Sequence, residues 1–181
     1  METSLVISGF GGQGVLLIGN LIACAAMEEG KNVAYMPSYG VEMRGGAAMC
    51  TVVISNGVVG SPVVGYPDAL IAFTDPALKK FGPRVKRGGL LIVNTAMADP
   101  ATLGRNDVKL IPVNFREIAE SMGNPRGLNM IALGVYLAGA NVVKLESVEL
   151  AFPETIDEKY HKFIPSNMEA IRKGMEIGQS L

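Results

Sequence analysis

The sequence predicts an α/β fold: a doubly wound, mostly parallel sheet with helices on both faces and an antiparallel hairpin at one edge. Three observations carry this. The apolar run Leu5-Val6-Ile7 enters a glycine-rich turn, Gly-Phe-Gly-Gly-Gln-Gly at 9–14, and an unbroken helical pattern follows over 15–29. Continuous apolar runs at 68–73 and 90–94 read as parallel strands covered on both faces rather than as half-exposed antiparallel ones. Strands then alternate with helical stretches, as that architecture requires. At 181 residues, with no linker, repeat or low-complexity tract, the chain reads as one Rossmann-like domain over 1–181.

Each element has its own signal. The first strand spans about 4–8, and Gly30 ends the first helix. A short second strand at 32–36 leads into an irregular segment, 37–49. The β-branched run 50–55 is strand-like, and Asn56-Gly57 is a turn signal that would return the chain through Val58-Val59 as a hairpin. Asp75-Pro76 opens a helix, with a capping side chain and then proline at the first helical position. Gly88-Gly89 precede the strand at 90–94, and 108–113 is a further strand. Asn114-Phe-Arg-Glu117 and Thr155-Ile-Asp-Glu158 have capping-box form. Ser166 would cap the last helix, in which Met168, Ile171 and Met175 fall at helical spacing and Glu169 and Lys173 form a solvated pair.

Charged residues make up 18% of the chain and its net charge is −1, so charge offers no case for nucleic acid or an anionic membrane. Every apolar run is broken well before the roughly 18 residues that would suggest a bilayer span. The acidic start, Met-Glu-Thr-Ser, is not read as a signal peptide. The cytoplasm is the expected location. Two cysteines, Cys24 and Cys50, cannot supply the four thiolates of a cubane cluster and lack C-x-x-C spacing. The single histidine, His161, lies among Lys159, Tyr160 and Lys162 and is expected at the surface. No catalytic residue and no metal ligand is assigned. The stretches 15–27 and 130–140 are apolar nearly all round, the pattern of helices covered on both sides. One sheet covers one side, and another layer or another chain must cover the other; an oligomer or a tightly bound partner is expected. Ten methionines, adaptable at contact surfaces, point the same way.

A strand, a glycine turn and a helix start make a cradle for an anion: main-chain N–H groups face outward and the helix N-terminus adds partial positive charge. The spacing of Gly9, Gly11 and Gly14 matches the dinucleotide form G-x-G-x-x-G. The second strand, however, runs into Met36-Pro37-Ser38 without the carboxylate that would hold a nicotinamide ribose, which argues against NAD. Tight turns need glycine whatever they bind. Four glycines in six residues, with the Gln13 amide, read as more than turning requires. The candidate cofactor-binding residues are therefore Gly9, Gly11, Gly12, Gln13 and Gly14. A second set follows the second strand, in Pro-Ser-Tyr-Gly-Val-Glu-Met-Arg-Gly-Gly at 37–46, where doubly wound sheets bind ligands. It comprises Ser38, Tyr39, Glu42, Arg44, Gly45 and Gly46. Arg44 offers a planar fork for phosphate or carboxylate, and Gly45-Gly46 a nest of N–H groups. A plain internal Glu42–Arg44 ion pair has equal standing.

These two motifs, with Ser-Pro-Val-Val at 61–64 before Pro-Asp-Ala-Leu at 67–70, resemble the gamma subunit of 2-oxoacid:ferredoxin oxidoreductases. The form at 38–46 is most similar to the 2-oxoglutarate and branched-chain (ketoisovalerate) types, and the likeness extends through 88–94 to 127–139. The resemblance implies a chain that is inactive alone. The complete enzyme would decarboxylate a 2-oxoacid on thiamine diphosphate held by alpha and beta chains. It would pass electrons through iron–sulfur clusters on other chains, a ferredoxin-like delta chain among them, to ferredoxin, and transfer the acyl group to coenzyme A. The resemblance also makes Gly11, Gly12, Gln13 and Gly14 candidates for coenzyme A phosphate contact, with Arg44 and Gly45 second. Subunit docking is the competing use of the same residues. A free-standing nucleotide- or flavin-binding module is the alternative that the glycine turn alone supports.

Overall fold

The computed structural model describes residues 2–39 and 46–180. The chain runs β1 (Glu2–Phe10), α1 (Val15–Glu28), β2 (Asn32–Tyr39), β3 (Ala47–Ser55), β4 (Ala69–Ala72), α2 (Asp75–Phe81), β5 (Leu90–Asn94), β6 (Lys109–Val113), α3 (Phe115–Ser121), α4 (Leu128–Ala140), α5 (Leu145–Thr155) and α6 (Ile164–Gln179). One sheet of six strands has the order β2-β3-β1-β4-β5-β6. The strands expected to be buried on both faces are its centre: Ile7 lies opposite Ile71, Ile71 opposite Ile92, and all three are fully buried. β1, β4, β5 and β6 run parallel, as the α/β reading requires.

The other half of the sheet departs from expectation. β3 pairs antiparallel with β1 along its whole length, from Glu2 opposite Ser55 to Phe10 opposite Ala47. β2 pairs antiparallel with β3 in turn and continues through Pro37, Ser38 and Tyr39, residues expected to be irregular. Proline is tolerated there because β2 is the edge strand and the missing N–H costs no ladder bond on its open side. The antiparallel hairpin is thus β2–β3, not 50–59. With β1 on one side of β3 and β2 on the other, no edge of β3 remains for Val58-Val59, and Val58 is 91% exposed. Two reversals leave β2 parallel to β1, so its carboxyl end does reach the same rim of the sheet as the glycine turn.

The covering of the apolar helices is also corrected. α1 packs on β2 and β3 with α5 on its outer side, and α4 packs on β4 and β5 with α6 on its outer side. Of the two covers the sequence left open, another layer or another chain, it is a third layer of the same chain that packs on α1 and α4, so these two helices do not themselves call for a partner. α4 and α6 approach until backbone meets backbone. A Cβ on Gly134 would fall on the Ile171 carbonyl oxygen and 2.8 Å from the Met175 nitrogen, and one on Gly174 would fall on the Ile131 carbonyl oxygen. On the opposite face, α2 closes a smaller apolar cluster of Val6, Leu70, Leu78, Leu91 and Val93.

Local signals held in part. Asn114 caps α3, accepting from the Glu117 N–H at 3.2 Å, as its capping box predicts. The cap of α2 is Thr74, which accepts from the Ala77 N–H, so Asp75 is the first helical residue rather than the cap. Thr155 ends α5 and turns its hydroxyl back to the Ala151 carbonyl, leaving no box with Glu158. Ser166 lies inside α6 and donates to the Phe163 carbonyl. Lys173 pairs with Glu176 at 3.0 Å, not with Glu169.

At the amino end of the parallel strands, Asp68 joins β1 to β4. Its carboxylate accepts from the Ser4 N–H at 2.8 Å, the Ser4 hydroxyl at 2.6 Å and the Lys86 ammonium at 2.6 Å. Burial alone would raise its pKa, but Lys86 and Ser4 together overcome this and hold it below the usual carboxylate value. A depressed native pKa stabilises the fold above the unfolded value and is lost on acidification. The difference in urea midpoint between the wild type and Asp68→Asn should therefore be full at neutral pH and shrink as pH falls below about 4. A difference that persists unchanged at low pH would remove this account. Gly134→Ala should destabilise the protein by about 1–3 kcal/mol in urea unfolding, the usual cost of overpacking a close-packed core.

Candidate functional site

β1 delivers its carboxyl end into the glycine turn, and the turn is held by its own atoms. The Gln13 side-chain oxygen accepts from the Phe10 N–H at 2.6 Å, and the Gln13 main-chain N–H donates to the Phe10 carbonyl at 3.2 Å. Gly9 has no room for a side chain: a Cβ would fall on that Gln13 oxygen and 2.9 Å from the Phe73 Cβ. Gly12 and Gly14 have φ of 95° and 73°, where L side chains are strained. Packing and backbone conformation thus account for three of the four glycines without a ligand. The fourth, Gly11, donates its N–H to the Gly46 carbonyl at 2.9 Å, which joins the first candidate set to the second.

What the turn leaves free is a helix start. Gly14 caps α1 with no side-chain hydrogen bond, and Ile18 is the first residue to donate back, to the Gly14 carbonyl at 3.2 Å. The N–H groups of Val15, Leu16 and Leu17 have no acceptor within the helix, and no acidic side chain lies in the first turn. The positive end of the α1 dipole is unneutralised at the carboxyl rim of the sheet.

Beside it, the chain leaves β1 for α1 on one face and β4 for α2 on the other. Adjacent strands whose connections diverge open a crevice at their carboxyl ends, the usual ligand position in such sheets. A cleft of about 250 Å³ occupies it, lined by Ser8, Phe10, Ser38, Tyr39, Thr74 and Lys80 among others. Ser38 and Tyr39, expected from sequence, are therefore present, and Tyr39 is 73% exposed. Glu42, Arg44 and Gly45 lie outside the described residues. Lys80 and Thr74 were not expected. Lys79 is engaged by Asp75 at 2.8 Å, whereas Lys80 has no acidic partner among the described residues and lies 5.1 Å from the Phe81 ring centre. The only sequence signal for them was the Thr-Asp-Pro helix entry, which placed the helix but not its neighbours.

The remaining reactive side chains are structural. The Cys50 thiol is buried and donates to the Val15 carbonyl at 3.5 Å, and burial pushes its pKa up to about 12. Cys24 is half-buried and bonded to the Asn20 side chain. His161 Nε2 lies 3.1 Å from both the Pro153 and the Ile156 carbonyl oxygens, so the ring fastens the end of α5 instead of standing free at the surface. No described helix is long and apolar enough to cross a membrane.

Comparison with known proteins settles the family. The model of the pyruvate ferredoxin/flavodoxin oxidoreductase family matches residues 4–177. The chain belongs to this family. Among its relatives in the pyruvate ferredoxin/flavodoxin oxidoreductase family is ketoisovalerate oxidoreductase subunit VorA of Methanothermobacter marburgensis, 40% identical over 176 residues. That match covers 97% of this chain but 36% of VorA, so the chain spans about a third of that relative's length. The 2-oxoglutarate synthase subunit KorC of Methanocaldococcus jannaschii is 32% identical over 183 residues, covering all of this chain and 96% of KorC. The crystal structure of a keto/oxoacid ferredoxin oxidoreductase gamma subunit from Geobacter sulfurreducens matches with a TM-score of 0.84 and 31% identity, over 99% of this chain and 98% of that one. The resemblance read from the two motifs is thereby met, in family and in gamma-type fold.

Gly14→Ala should lower the melting temperature by at least about 2–4 °C, the shift that 1 kcal/mol produces in a domain of this size. Gly60→Ala, where nothing lies within 4 Å, should leave it unchanged in the same scan.

Proposed function

We propose that this chain is the gamma subunit of a cytoplasmic 2-oxoacid:ferredoxin oxidoreductase, inactive alone, packed on alpha and beta chains and contacting coenzyme A at the carboxyl rim of its sheet. The observation that carries the coenzyme A contact is the cleft at the carboxyl ends of β1 and β4, lined by Lys80, which has no acidic partner among the described residues. Its ammonium attracts the phosphates of coenzyme A. Tyr39, Phe10 and the hydroxyls of Ser38 and Thr74 line the same space and suit an elongated, partly polar ligand.

The donor set of this chain fits coenzyme A and does not fit the other cofactors of the reaction. An iron–sulfur cluster takes four thiolates, whereas Cys50 is enclosed against α1 and Cys24 is bonded to the helix that carries it. Among the described residues no three His, Cys, Asp or Glu side chains stand together as metal ligands. The proposal accordingly assigns thiamine diphosphate to the alpha and beta chains and the clusters to cysteine-rich companions such as a delta chain, with ferredoxin as acceptor. Coenzyme A supplies the thiol that receives the acyl group. The work of this chain is to hold the phosphate end and to exclude water beside it. KorC and VorA are named for 2-oxoglutarate and ketoisovalerate chemistry respectively, and this chain's substrate is proposed to be of that 2-oxoacid class.

The test is assembly. Produced with the chains encoded beside it, the protein should co-purify with them and support 2-oxoacid-dependent ferredoxin reduction that saturates with coenzyme A. Lys80→Gln in that complex should raise the KM for coenzyme A about tenfold, the scale of one hydrogen bond to a charged group, with kcat little changed. A chain that remains monodisperse beside its companions, or that is fully active alone, would refute the assignment.

A further inference from the structure

Ser-Pro-Val-Val at 61–64 belongs to the pattern that marks the family, yet neither the cleft nor either apolar cluster includes it. It lies in a segment, 56–66, that has no helix or strand and joins β3 to β4 at the amino rim of the sheet, opposite the glycine turn. Val58 is 91% exposed there, and Val63 and Tyr66 are each 69% exposed. No charged residue occurs anywhere in 45–67, so nothing ionic interrupts this apolar surface. Soluble proteins rarely leave a projection of this kind bare, and where one occurs it marks a contact.

The loop ends beside a surface of the opposite character. The carbonyl of Pro67, next to Tyr66, accepts from the Lys86 N–H at 2.9 Å. Lys86 belongs to a run, 79–87, that holds five of the chain's sixteen Lys and Arg: Lys79, Lys80, Arg84, Lys86 and Arg87, all exposed. No acid lies between Asp75 and Asp99. α2 carries this run away from the cleft, and a 3-10 turn at 82–84 delivers it to the amino rim, where Lys86 meets Asp68. Lys79 is held by Asp75 at 2.8 Å. Asp107 reaches Arg87 only at 3.7 Å and is shared with Arg105, while the Arg87 side chain stays 90% exposed, so that pair neutralises little. Arg84 has no acidic partner among the described residues. The chain as a whole has a net charge of −1, so the positive excess is local to this face.

We infer that loop 56–66 and the basic run 79–87 together form the surface on which a companion chain of the complex docks, and that the companion offers an apolar socket ringed by Asp and Glu. The inference rests on the subunit reading above and adds where the contact lies. Tyr66 and the two valines supply the apolar centre, and Arg84, Lys86 and Arg87 the charged rim, which is the anatomy of protein–protein interfaces. A second copy is a poor occupant, since two-fold pairing would bring two basic runs together. A protein neighbour also agrees with VorA, most of whose polypeptide lies outside the stretch matched by this fold.

Mass photometry of the co-produced complex, diluted in steps, reads how tightly this chain is held. At about 50 mM NaCl, the double variant Arg84→Glu/Arg87→Glu should dissociate at roughly tenfold higher concentration than the wild type, and the gap should narrow at about 0.5 M NaCl, where surface charges are screened. Tyr66→Ser should cost about tenfold at both salt concentrations, as loss of an aromatic anchor does. Lys173→Glu, on α6 at the opposite face, should dissociate as the wild type does. All four residues are exposed, so each variant should keep the wild-type melting temperature by circular dichroism. Wild-type dissociation in both the double variant and Tyr66→Ser overturns the inference and leaves the subunit reading intact. Failure of the wild type to form any complex overturns both. Self-association of the chain, or binding to phosphatidylserine vesicles, that these variants abolish while companion binding is unchanged gives the surface to a second copy or a membrane, and equally overturns the inference.

Discussion

Where α4 crosses α6, two glycines remove every atom that would hold the helices apart, and the main chains come into direct contact. Close-packed interiors do not deform continuously, so this contact fixes α4 along its length as well as in its distance from the sheet. The start of α4 is fixed with it, and Asn129 is thereby held over Gly14, the residue from which α1 departs. From there the constraint passes to the glycine turn and to Gly46 beyond it. The geometry at the carboxyl rim is thus set by a helix crossing on the far side of the domain.

The parts of this structure visible in the sequence are those that depend on local pattern. β5 has the boundaries its apolar run announces, since a strand buried on both faces needs no knowledge of its neighbours. The first helix, the Asn114 cap and the glycine turn are legible for the same reason. The β2–β3 hairpin was not, because Asn56-Gly57 is the stronger turn signal locally. Only the sheet as a whole shows that both edges of β3 are already taken. The cover over α1 and α4 failed differently. An apolar helix states that it is buried, but it does not state by what: another layer or another chain would do, a partner was favoured, and the cover proves to be the chain's own α5 and α6. Of the candidate site, Gly11, Gly46, Ser38 and Tyr39 were recognised from motifs. Thr74 and Lys80 come from a segment far away in sequence, where the Thr-Asp-Pro helix entry marks the helix but not its place beside the glycine turn.

The glycines of the turn carry a lesson about reading such motifs. Gly9 is small because Phe73 and Gln13 crowd it, and Gly12 and Gly14 are glycine because of their backbone angles. Gln13 was read from sequence as a candidate ligand contact, and its side-chain oxygen closes the turn by accepting from the Phe10 N–H. What the turn leaves unbonded is therefore more informative than the number of its glycines. That is the first turn of α1, which has no side-chain cap and no acidic residue.

The two flanks of the sheet are unequally guarded. Unpaired strand edges recruit strands from other molecules unless lysine, proline or brevity discourages it. β6 has all three protections, being five residues long with Lys109 and Pro112. β2 is eight residues long and uncharged, and Pro37 is its sole interruption. In a cell or a storage tube, self-association of the uncomplexed polypeptide will accordingly begin along 32–39.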